Sequence, residues 1–343
     1  MKDIVDDVGA WIAGGQNAIA IATVLKTWGS APRRPGAKMA IDSQGRLTGS
    51  VSGGCVEGAV IEVARESLET GEARKLHFGV VDETAWSVGL ACGGSIDIFV
   101  ENLDLTTFER VKRLIDDERE GKILTVISGP RQVVGQKIIV DNEGGWTGDM
   151  APELEQRMLE LAATAVQTQV MDLDEDTRVF VELIRPLPTL IAVGGGEISI
   201  ALTRMASLLG YRTVVIDPRK IFASDARFPH VDKLIQRWPR SAFAEVDLTP
   251  DTAVALLTHD PKIDDPSLGI LLERELFYIG ALGSRKTHAK RLERLAKKGF
   301  TTNETNRIHA PIGLDIGAAS PAEIAVAVMA EIVSVRNGQQ GAF

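Results

Sequence analysis

The chain has 343 residues, of which 44% are hydrophobic and 25% are charged, a balance typical of soluble globular proteins. This length predicts two domains of ordinary size, each with its own core. The formal net charge of −9 argues against nucleic acid as the main partner.

Cysteine content and hydropathy indicate where such a chain functions. Two cysteines in a chain of this length do not make a disulfide framework, which favours the reducing cytoplasm. Since no apolar run approaches the length of a membrane span, we expect none. The acidic N-terminus lacks the apolar core of a signal peptide.

The first part of the chain predicts a mixed α+β domain. Residues 1–14 show helical spacing and residues 18–28 have strand character. Residues 29–38 hold two prolines between two glycines and predict a rigid loop bearing three cations, Arg33, Arg34 and Lys38. A hairpin at 39–51 and a helix from Cys55 to Thr70 follow. The further predicted elements are strands at 75–80, 95–101, 123–128 and 178–184, helices at 106–119 and 152–166, and a hairpin through 142–145.

Both cysteines lie beside glycine pairs, as Gly53-Gly54-Cys55 and as Cys92-Gly93-Gly94. Glycine lets a ligand approach a neighbouring sulfur closely. Cys55 opens the predicted helix, where free N–H groups favour a thiolate. Cys55 is therefore a candidate soft metal ligand or nucleophile beside an anion site. The alternative is that the cysteines fill space in the core. Their separation of 37 residues, with no further Cys or nearby His, argues against structural zinc.

Pro186-Leu187-Pro188 predicts a short stiff linker. We place the domain boundary there, giving domains at 1–186 and 187–343. No internal repeat is apparent in either. The second domain alternates strands and helices, which predicts a Rossmann-like, doubly wound parallel sheet and an α/β chain overall. Its predicted strands are 189–193, 212–216, 253–257 and 277–279, and its predicted helices are 197–209, 286–298 and 321–335.

A glycine-rich turn opens the second domain. Gly194-Gly195-Gly196 follows an apolar strand and matches the dinucleotide-binding fingerprint at its first two glycines, but Ser199 stands at the third position. Asp217 ends the next strand, 21 residues after Gly196, the spacing of an acid that accepts ribose hydroxyls. This predicts NAD(P) binding; the alternative is that the turn serves helix–strand packing.

Four further segments of the second domain stand out, and two of them are candidates for chemistry. His259 follows an apolar strand, where ligands bind in open α/β sheets; it is a candidate acid or base, or simply bonds a loop carbonyl. Residues 280–285 repeat the strand–glycine–helix pattern and are a candidate phosphate loop. The basic run from Arg285 to Lys298 is typical of a solvated helix face. Residues 311–317 predict a tight turn before a capped helix.

Taken together, several segments resemble the XdhC/CoxI family in the family's usual order. They are residues 29–33, 53–57, 92–94, 194–196, 280–285 and 311–317. The resemblance implies an accessory factor that binds molybdenum cofactor, supports its sulfuration and delivers it to an apo molybdenum hydroxylase such as xanthine dehydrogenase. It also implies that Cys55 and Cys92 contact the cofactor. Thiolates suit a thiophilic metal, while Arg33 and Arg34 would attract the pterin phosphate, or else lie on a solvated turn.

Two other functions remain open from the residues alone. One is an NAD(P)-linked oxidoreductase that uses Cys55 or His259. The other is a thiol-redox protein with a Cys55–Cys92 disulfide, which requires Cα atoms within about 7 Å. A cysteine desulfurase is a candidate partner of a sulfuration factor, and a homodimer is expected because twofold pairs dominate among oligomers.

Overall fold

The computed structural model describes residues 1–29, 33–79 and 94–338. Cys92 and Gly93, two of the predicted site residues, lie outside the described residues. The chain divides into two compact units, Met1–Pro186 and Leu187–Phe343. Within the described ranges, no helix is both long and apolar enough to span a membrane.

The first unit contains the same arrangement of elements twice. Among the described residues of each copy, a helix is followed by three strands, a second helix and two more strands. The first copy consists of α1 (Val5–Ala13), β1 (Ile19–Trp28), β2 (Lys38–Asp42), β3 (Leu47–Gly49), α2 (Glu57–Thr70), β4 (Arg74–Phe78) and β5 (Ser95–Asn102). The second consists of α3 (Leu105–Asp116), β6 (Gly121–Ser128), β7 (Lys137–Asp141), β8 (Trp146–Gly148), α4 (Pro152–Thr164), β9 (Gln169–Asp172) and β10 (Arg178–Ile184).

Each copy forms one antiparallel sheet, and the two sheets have the same strand order. The first is ordered β3-β2-β1-β5-β4 and the second β8-β7-β6-β10-β9. The registers match residue for residue: Thr23 pairs with both Lys38 and Phe99, and Thr125 pairs with both Lys137 and Phe180. The expectation that the chain has no internal repeat is therefore wrong, because the structure is duplicated although the sequence hardly shows it.

The two sheets face each other across a small apolar core. Leu25 and Phe99 from the first sheet pack with Ile127 and Phe180 from the second. Leu25 and Ile127 each sit at a register shift in their strands, where an extra residue is turned toward the opposite sheet. Burying side chains of this size contributes about 1.5–3 kcal/mol each.

Two crossed ion pairs flank this core. Lys38 of the first sheet pairs with Glu182 of the second at 2.8 Å, and Lys137 of the second pairs with Glu101 of the first. Lys38 also donates to the Thr23 hydroxyl at 2.9 Å. The prediction that Lys38 adds a positive charge to the 29–38 loop is therefore wrong: its side chain is buried and neutralised between the sheets.

The outer face of each sheet is covered by one helix. Val60 and Ala64 of α2 pack on the first sheet, and Met158 and Ala162 of α4 pack on the second. Helix α2 ends where the sequence predicts, at Gly71. This glycine has a left-handed φ of 76°, which glycine adopts without strain. The helix begins at Glu57, two residues after the predicted start at Cys55.

The second unit is a doubly wound parallel sheet, which confirms the predicted α/β fold. Its six strands are ordered β13-β12-β11-β14-β15-β16, the order of a Rossmann fold. The strands are β11 (Thr189–Val193), β12 (Arg212–Ile216), β13 (Lys233–Ile235), β14 (Thr252–Leu256), β15 (Tyr278–Ala281) and β16 (Ile308–His309). The helices are α5 (Glu197–Leu208), α6 (Pro239–Ala242), α7 (Pro261–Leu271), α8 (Arg285–Lys297), α9 (Thr302–Thr305) and α10 (Pro321–Arg336), with a 3-10 turn at Phe243–Glu245.

Alternate strand residues face two separate apolar layers. Ile191 and Val193 join the layer that includes α7 and α8, whereas Leu190 and Ala192 join the layer that includes α5 and α10. The basic run on α8 is not wholly solvated: Arg291 is 1% exposed and lies 3.4 Å from the buried carboxylate of Asp264. The prediction of a uniformly solvated face is wrong there, because part of α8 packs on α7.

Candidate functional site

Cys55 lies on a loop that connects β3 to α2. Its thiol is free and half-buried, and its side chain packs at the margin of the apolar cluster under α2. Gly53 and Gly54 precede it with φ values of 81° and 117°, conformations that side chains rarely adopt. A Cβ added to Gly54 would meet no atom of the described residues within 4 Å, so among these residues the backbone beside the thiol is open.

The carboxylate of Glu57 holds this loop. It accepts hydrogen bonds from three consecutive backbone N–H groups, those of Ser52 (2.8 Å), Gly53 (3.0 Å) and Gly54 (2.8 Å). It also accepts from two hydroxyls, that of Ser50 at 2.7 Å and that of Ser52 at 2.5 Å. The loop is thus folded around one anionic side chain from the first turn of α2.

Burial raises the pKa of Glu57, but the hydrogen bonds from Ser52, Ser50 and the backbone outweigh it and lower the pKa to about 2. Glu57 is therefore a carboxylate at physiological pH. Ser52 connects Glu57 to the backbone of Cys55. The hydroxyl that donates to Glu57 also accepts hydrogen bonds from the N–H groups of Cys55 (2.9 Å) and Val56 (3.0 Å). The free N–H groups expected around Cys55 are consequently engaged by the protein itself.

Arg33 joins the β1–β2 loop to the Cys55 loop. Its Nε donates to the Ser50 carbonyl at 3.1 Å, and its Nη2 pairs with Asp3 at 2.6 Å. Arg34 is exposed on the same loop. Trp28, at the end of β1, pairs with Ser95, at the start of β5, so Arg33 and Arg34 follow β1 at the end of the first sheet where β5 begins. Gly94 is buried immediately before that strand.

The second repeat lacks this elaboration. Seven residues connect β3 to α2, but only three connect β8 to α4. The latter connection, Asp149-Met150-Ala151, has neither a glycine pair nor a cysteine. Across the described residues there is no group of three or more His, Cys, Asp or Glu side chains that could hold a metal ion.

In the second unit the three glycines of the turn have distinct environments. Gly194 has a φ of 109°, and a Cβ there would lie 2.6 Å from the Thr258 methyl. A Cβ on Gly195 would lie 2.5 Å from the Phe222 carbonyl, whereas one on Gly196 would meet nothing within 4 Å. The third fingerprint position is explained as well, because the buried hydroxyl of Ser199 donates to the Gly194 carbonyl.

Asp217 is fully buried beside this turn. One carboxylate oxygen accepts from Gly195 N and Arg219 Nη2, both at 2.8 Å, and the other from Arg219 N and Nε, both at 2.9 Å. Burial raises the pKa of Asp217, but the bonds from Arg219 and Gly195 bring it below its ordinary value. Both oxygens thus face protein donors, and the binding of ribose by Asp217 stays a prediction.

His259 is exposed after β14 and directly precedes Asp260, the capping residue of α7. Since β14 neighbours β11, His259 and the glycine turn lie at the same edge of the parallel sheet. The structure places His259 where ligands bind in such folds, and its acid–base role stays a prediction.

Comparison with known proteins gives these loops a family. A model described as the XdhC and CoxI family matches residues 11–79, which include the Cys55 loop. A model described as the XdhC Rossmann domain matches residues 190–332, which include the glycine turn, Asp217 and His259. The chain belongs to the XdhC/CoxI family. The two matched ranges exclude residues 80–189, in which the second repeat lies.

Relatives of known name align over nearly the whole XdhC/CoxI chain. A protein of Bacillus subtilis, named as a probable xanthine dehydrogenase subunit, is 29% identical over 94% of this chain and 94% of its own length. The molybdenum cofactor insertion chaperone PaoD of Escherichia coli is 28% identical over 96% of this chain and 86% of its own. The crystal structure of a xanthine dehydrogenase from Bacillus halodurans has a TM-score of 0.79 and 25% identity, covering 98% of this chain and 97% of that one.

The sequence-based site omitted the residues that hold the loop. Glu57 stands in the motif after Gly-Gly-Cys, and Ser50 and Ser52 stand before it, but none was assigned a role. The available signal was a glutamate in the first helical turn that follows hydroxyl residues, the pattern of side chains that satisfy N-terminal N–H groups.

Proposed function

We propose that this XdhC/CoxI protein binds molybdenum cofactor as cargo, supports its sulfuration and delivers it to an apo molybdenum hydroxylase of the xanthine dehydrogenase type. The observation that carries the proposal is the free thiol of Cys55 on a glycine loop held by Glu57. This loop lies in the part of the chain that matches the family model. The relative PaoD, named as an insertion chaperone for this cofactor, supports the same function.

The chemistry of the loop suits a carrier. Thiolate sulfur is a good ligand for a thiophilic metal, and the open backbone at Gly54 leaves room for a large ligand to approach. Arg33 and Arg34 on the adjoining loop would attract the pterin phosphate. A half-buried site with one described thiol favours release, which delivery requires. Cys92 is proposed as a second contact, from a segment outside the described residues.

The proposed partners follow from this role. The recipient is an apo molybdenum hydroxylase, and a cysteine desulfurase would supply the sulfur for sulfuration. We also propose that the protein acts as a homodimer in the cytoplasm. Co-purification tests the two proposed partners, and measurement of mass in solution tests the homodimer.

An NAD(P)-linked oxidoreductase is the alternative function, and the turn in the second unit gives it less support. The carboxylate spaced for ribose already accepts four hydrogen bonds from Arg219 and Gly195. Binding of ribose by Asp217 would require Arg219 to turn away. Oxidation or reduction of a nicotinamide nucleotide by the purified protein with a purine or aldehyde substrate would favour this alternative.

Reconstitution tests delivery directly. Protein purified from a host that makes molybdenum cofactor is mixed with an apo xanthine dehydrogenase, and substrate oxidation is followed over time. We expect activity to appear with the native protein and not with Cys55→Ser. An equal yield of active hydroxylase from native protein, Cys55→Ser and a buffer control would contradict the proposal.

A further inference from the structure

We propose that Glu57 is a positioning residue for the thiol site, which fixes the Cys55 loop in its binding conformation before any cargo arrives. This inference rests on the proposed function for its meaning, but its first test does not depend on cargo. No charge or metal chemistry is assigned to Glu57 itself. Its role is to set where the backbone and thiol of Cys55 stand.

The number of donors around Glu57 carries the argument. Three successive N–H groups and two hydroxyls converge on the two oxygens of one carboxylate. Hydrogen bonds to an ionised acceptor are about twice as strong as neutral ones. The glycines of the loop have no side chains to hold it by packing, and they would otherwise sample many conformations. The hydrogen bonds to the carboxylate therefore restrict the loop to one conformation, which the glycines alone would not do.

The connection from Glu57 to the thiol is short and direct. The Ser52 hydroxyl donates to Glu57, and its oxygen accepts from the N–H groups of Cys55 and Val56. Ser52 is only 2% exposed, and its single hydroxyl bonds Glu57, Cys55 and Val56 at the same time. Displacing the carboxylate would release Ser52 and with it the backbone of Cys55.

The second repeat shows that this arrangement is not a general way to start such a helix. Helix α4 begins after Ala151 with no side-chain cap. Glu153, in its first turn, makes no side-chain hydrogen bond among the described residues. The five-donor arrangement is present where the thiol is and absent where the thiol is not, which is expected if it serves the thiol.

The same contacts have a consequence for the cargo. A cradle of consecutive N–H groups is an arrangement that binds anions, but Glu57 already fills this one. An anionic part of the cargo would have to displace a carboxylate that already accepts five hydrogen bonds. The phosphate is therefore directed away from the loop, toward the cationic β1–β2 loop, which leaves the thiol for the metal.

The test compares Glu57→Gln with Glu153→Gln, which removes the same charge from the first turn of α4. The first measurement is the rate of Cys55 alkylation by iodoacetamide, read by mass spectrometry of the Cys55 peptide, with thermal unfolding as the measure of global stability. We expect Glu57→Gln to change the alkylation rate by about tenfold at a temperature where the variant is still folded, and to lower the unfolding temperature as well, because it weakens five hydrogen bonds to the carboxylate. Glu153→Gln should change neither. An alkylation rate equal to that of the native protein would overturn the proposal.

Two further variants separate position from charge. Glu57→Asp keeps the charge but is one methylene shorter, so we expect it to behave like Glu57→Gln; native behaviour would overturn the positional role. If Glu57→Gln does not fold, Ser52→Ala is used in its place. We again expect the alkylation rate of Cys55 to change by about tenfold, and a native rate would overturn the proposal. Molybdenum content is then measured in each variant. Cargo absent from native protein would count against the proposed function alone, because the alkylation result stands without it.

Discussion

Lys38 and Glu182 form the most consequential ion pair between the two sheets. Their side chains are 6% and 10% exposed, and their charged atoms lie 2.8 Å apart. Such a pair contributes little net stability relative to apolar residues, but removing Lys38 leaves the buried Glu182 carboxylate with one cationic partner instead of two, the N-terminal amine of Met1 at 3.1 Å. The pair also requires the sheets to meet in one register, since each lysine reaches a glutamate of the opposite sheet.

Replacing Lys38 with Met is therefore expected to lower the free energy of unfolding by more than about 1 kcal/mol and by at most about 3–5 kcal/mol, the cost of a fully unpaired buried charge, because the Met1 amine still pairs with Glu182. The measurement is urea unfolding followed by circular dichroism. The matched control is Arg178→Ala, which breaks the exposed pair with Asp172 and should cost less than about 1 kcal/mol. Equal losses in the two variants would show that the buried pair has no special role.

Gly195 and Gly196 of the second unit differ in the space that surrounds them. Gly195→Ala would place a Cβ 2.5 Å from the Phe222 carbonyl, whereas Gly196→Ala would place one in open space. We expect the first change to lower the free energy of unfolding by about 1–3 kcal/mol, as overpacking does, and the second to leave it nearly unchanged. Comparable thermal unfolding of the two variants would contradict this reading of the turn.

At the scale of elements, the two repeats differ most clearly in the loop that connects the third strand to the second helix, which is the β3–α2 loop in the first repeat. The second repeat makes the same strand-to-helix connection with three residues. The longer loop is therefore not needed to connect the elements, although Val51 and Val56 within it are fully buried and add to the core.

Replacing residues 50–56 with Asp-Met-Ala from the second repeat should consequently give a folded but less stable protein that carries no molybdenum cofactor. Circular dichroism would report the fold, and metal and pterin analysis would report the cargo. The reciprocal control replaces residues 149–151 with alanines, which should leave the cargo unaffected. Retention of cargo by the shortened variant would show that the Cys55 loop is not its site.

Regular elements could be predicted from sequence where their pattern was strong. Strands β10 and β12 have the predicted bounds, and the hairpins and long helices lie where their periodicity indicates. The misses are short or atypical. Edge strands β9, β13 and β16 have two to four residues, too few for a periodic signal. Helix α7 contains Pro266, which usually argues against a helix interior.

The thiol could be identified from sequence, but the contacts that hold it could not. Cys55 stood out through its glycine neighbours, a local feature of composition. The role of Glu57 depends on the loop turning back on itself, which brings five donors to one carboxylate. No spacing rule specifies that path. Likewise the spacing of Asp217 suggested ribose binding, but only the fold shows Arg219 across both of its oxygens.

At the scale of the whole molecule, the duplication in the first unit is the main feature that the sequence hides. Few corresponding positions of the two repeats carry the same residue type. Among those that do are Thr23 and Thr125, Lys38 and Lys137, and Glu101 and Glu182. Their spacings differ because the loops differ in length between the repeats. A fixed period, the usual signal of a repeat, is therefore absent, and the match emerges only from strand order and register.

Acid lability should also concentrate in the first unit. Burial raises the pKa of Glu182, but Lys38 and the N-terminal amine outweigh it and lower the pKa to about 2; the Arg157 hydrogen bond likewise holds the pKa of Asp174 at about 2. The pKa of Glu57 is lowered to a similar value. A carboxyl whose folded-state pKa is depressed stabilises the fold above its unfolded pKa and loses that contribution as pH falls through the folded value.

We therefore expect the first unit to lose stability as pH falls from about 4.5 to about 2. Hydrogen exchange read by mass spectrometry across this range would show peptides of residues 1–186 losing protection. Glu182→Gln should show a shallower dependence on pH, because one depressed carboxyl has been removed. A native pH profile in that variant would exclude Glu182 as a source of the effect.

The central claim is that Cys55 holds molybdenum cofactor as cargo. The most direct measurement is the molybdenum content and oxidised-pterin fluorescence of full-length protein purified from a host that makes the cofactor, beside folded Cys55→Ser prepared identically. We expect molybdenum and pterin in the native protein and their loss from the variant. Equal amounts in both, or none in either, would contradict it.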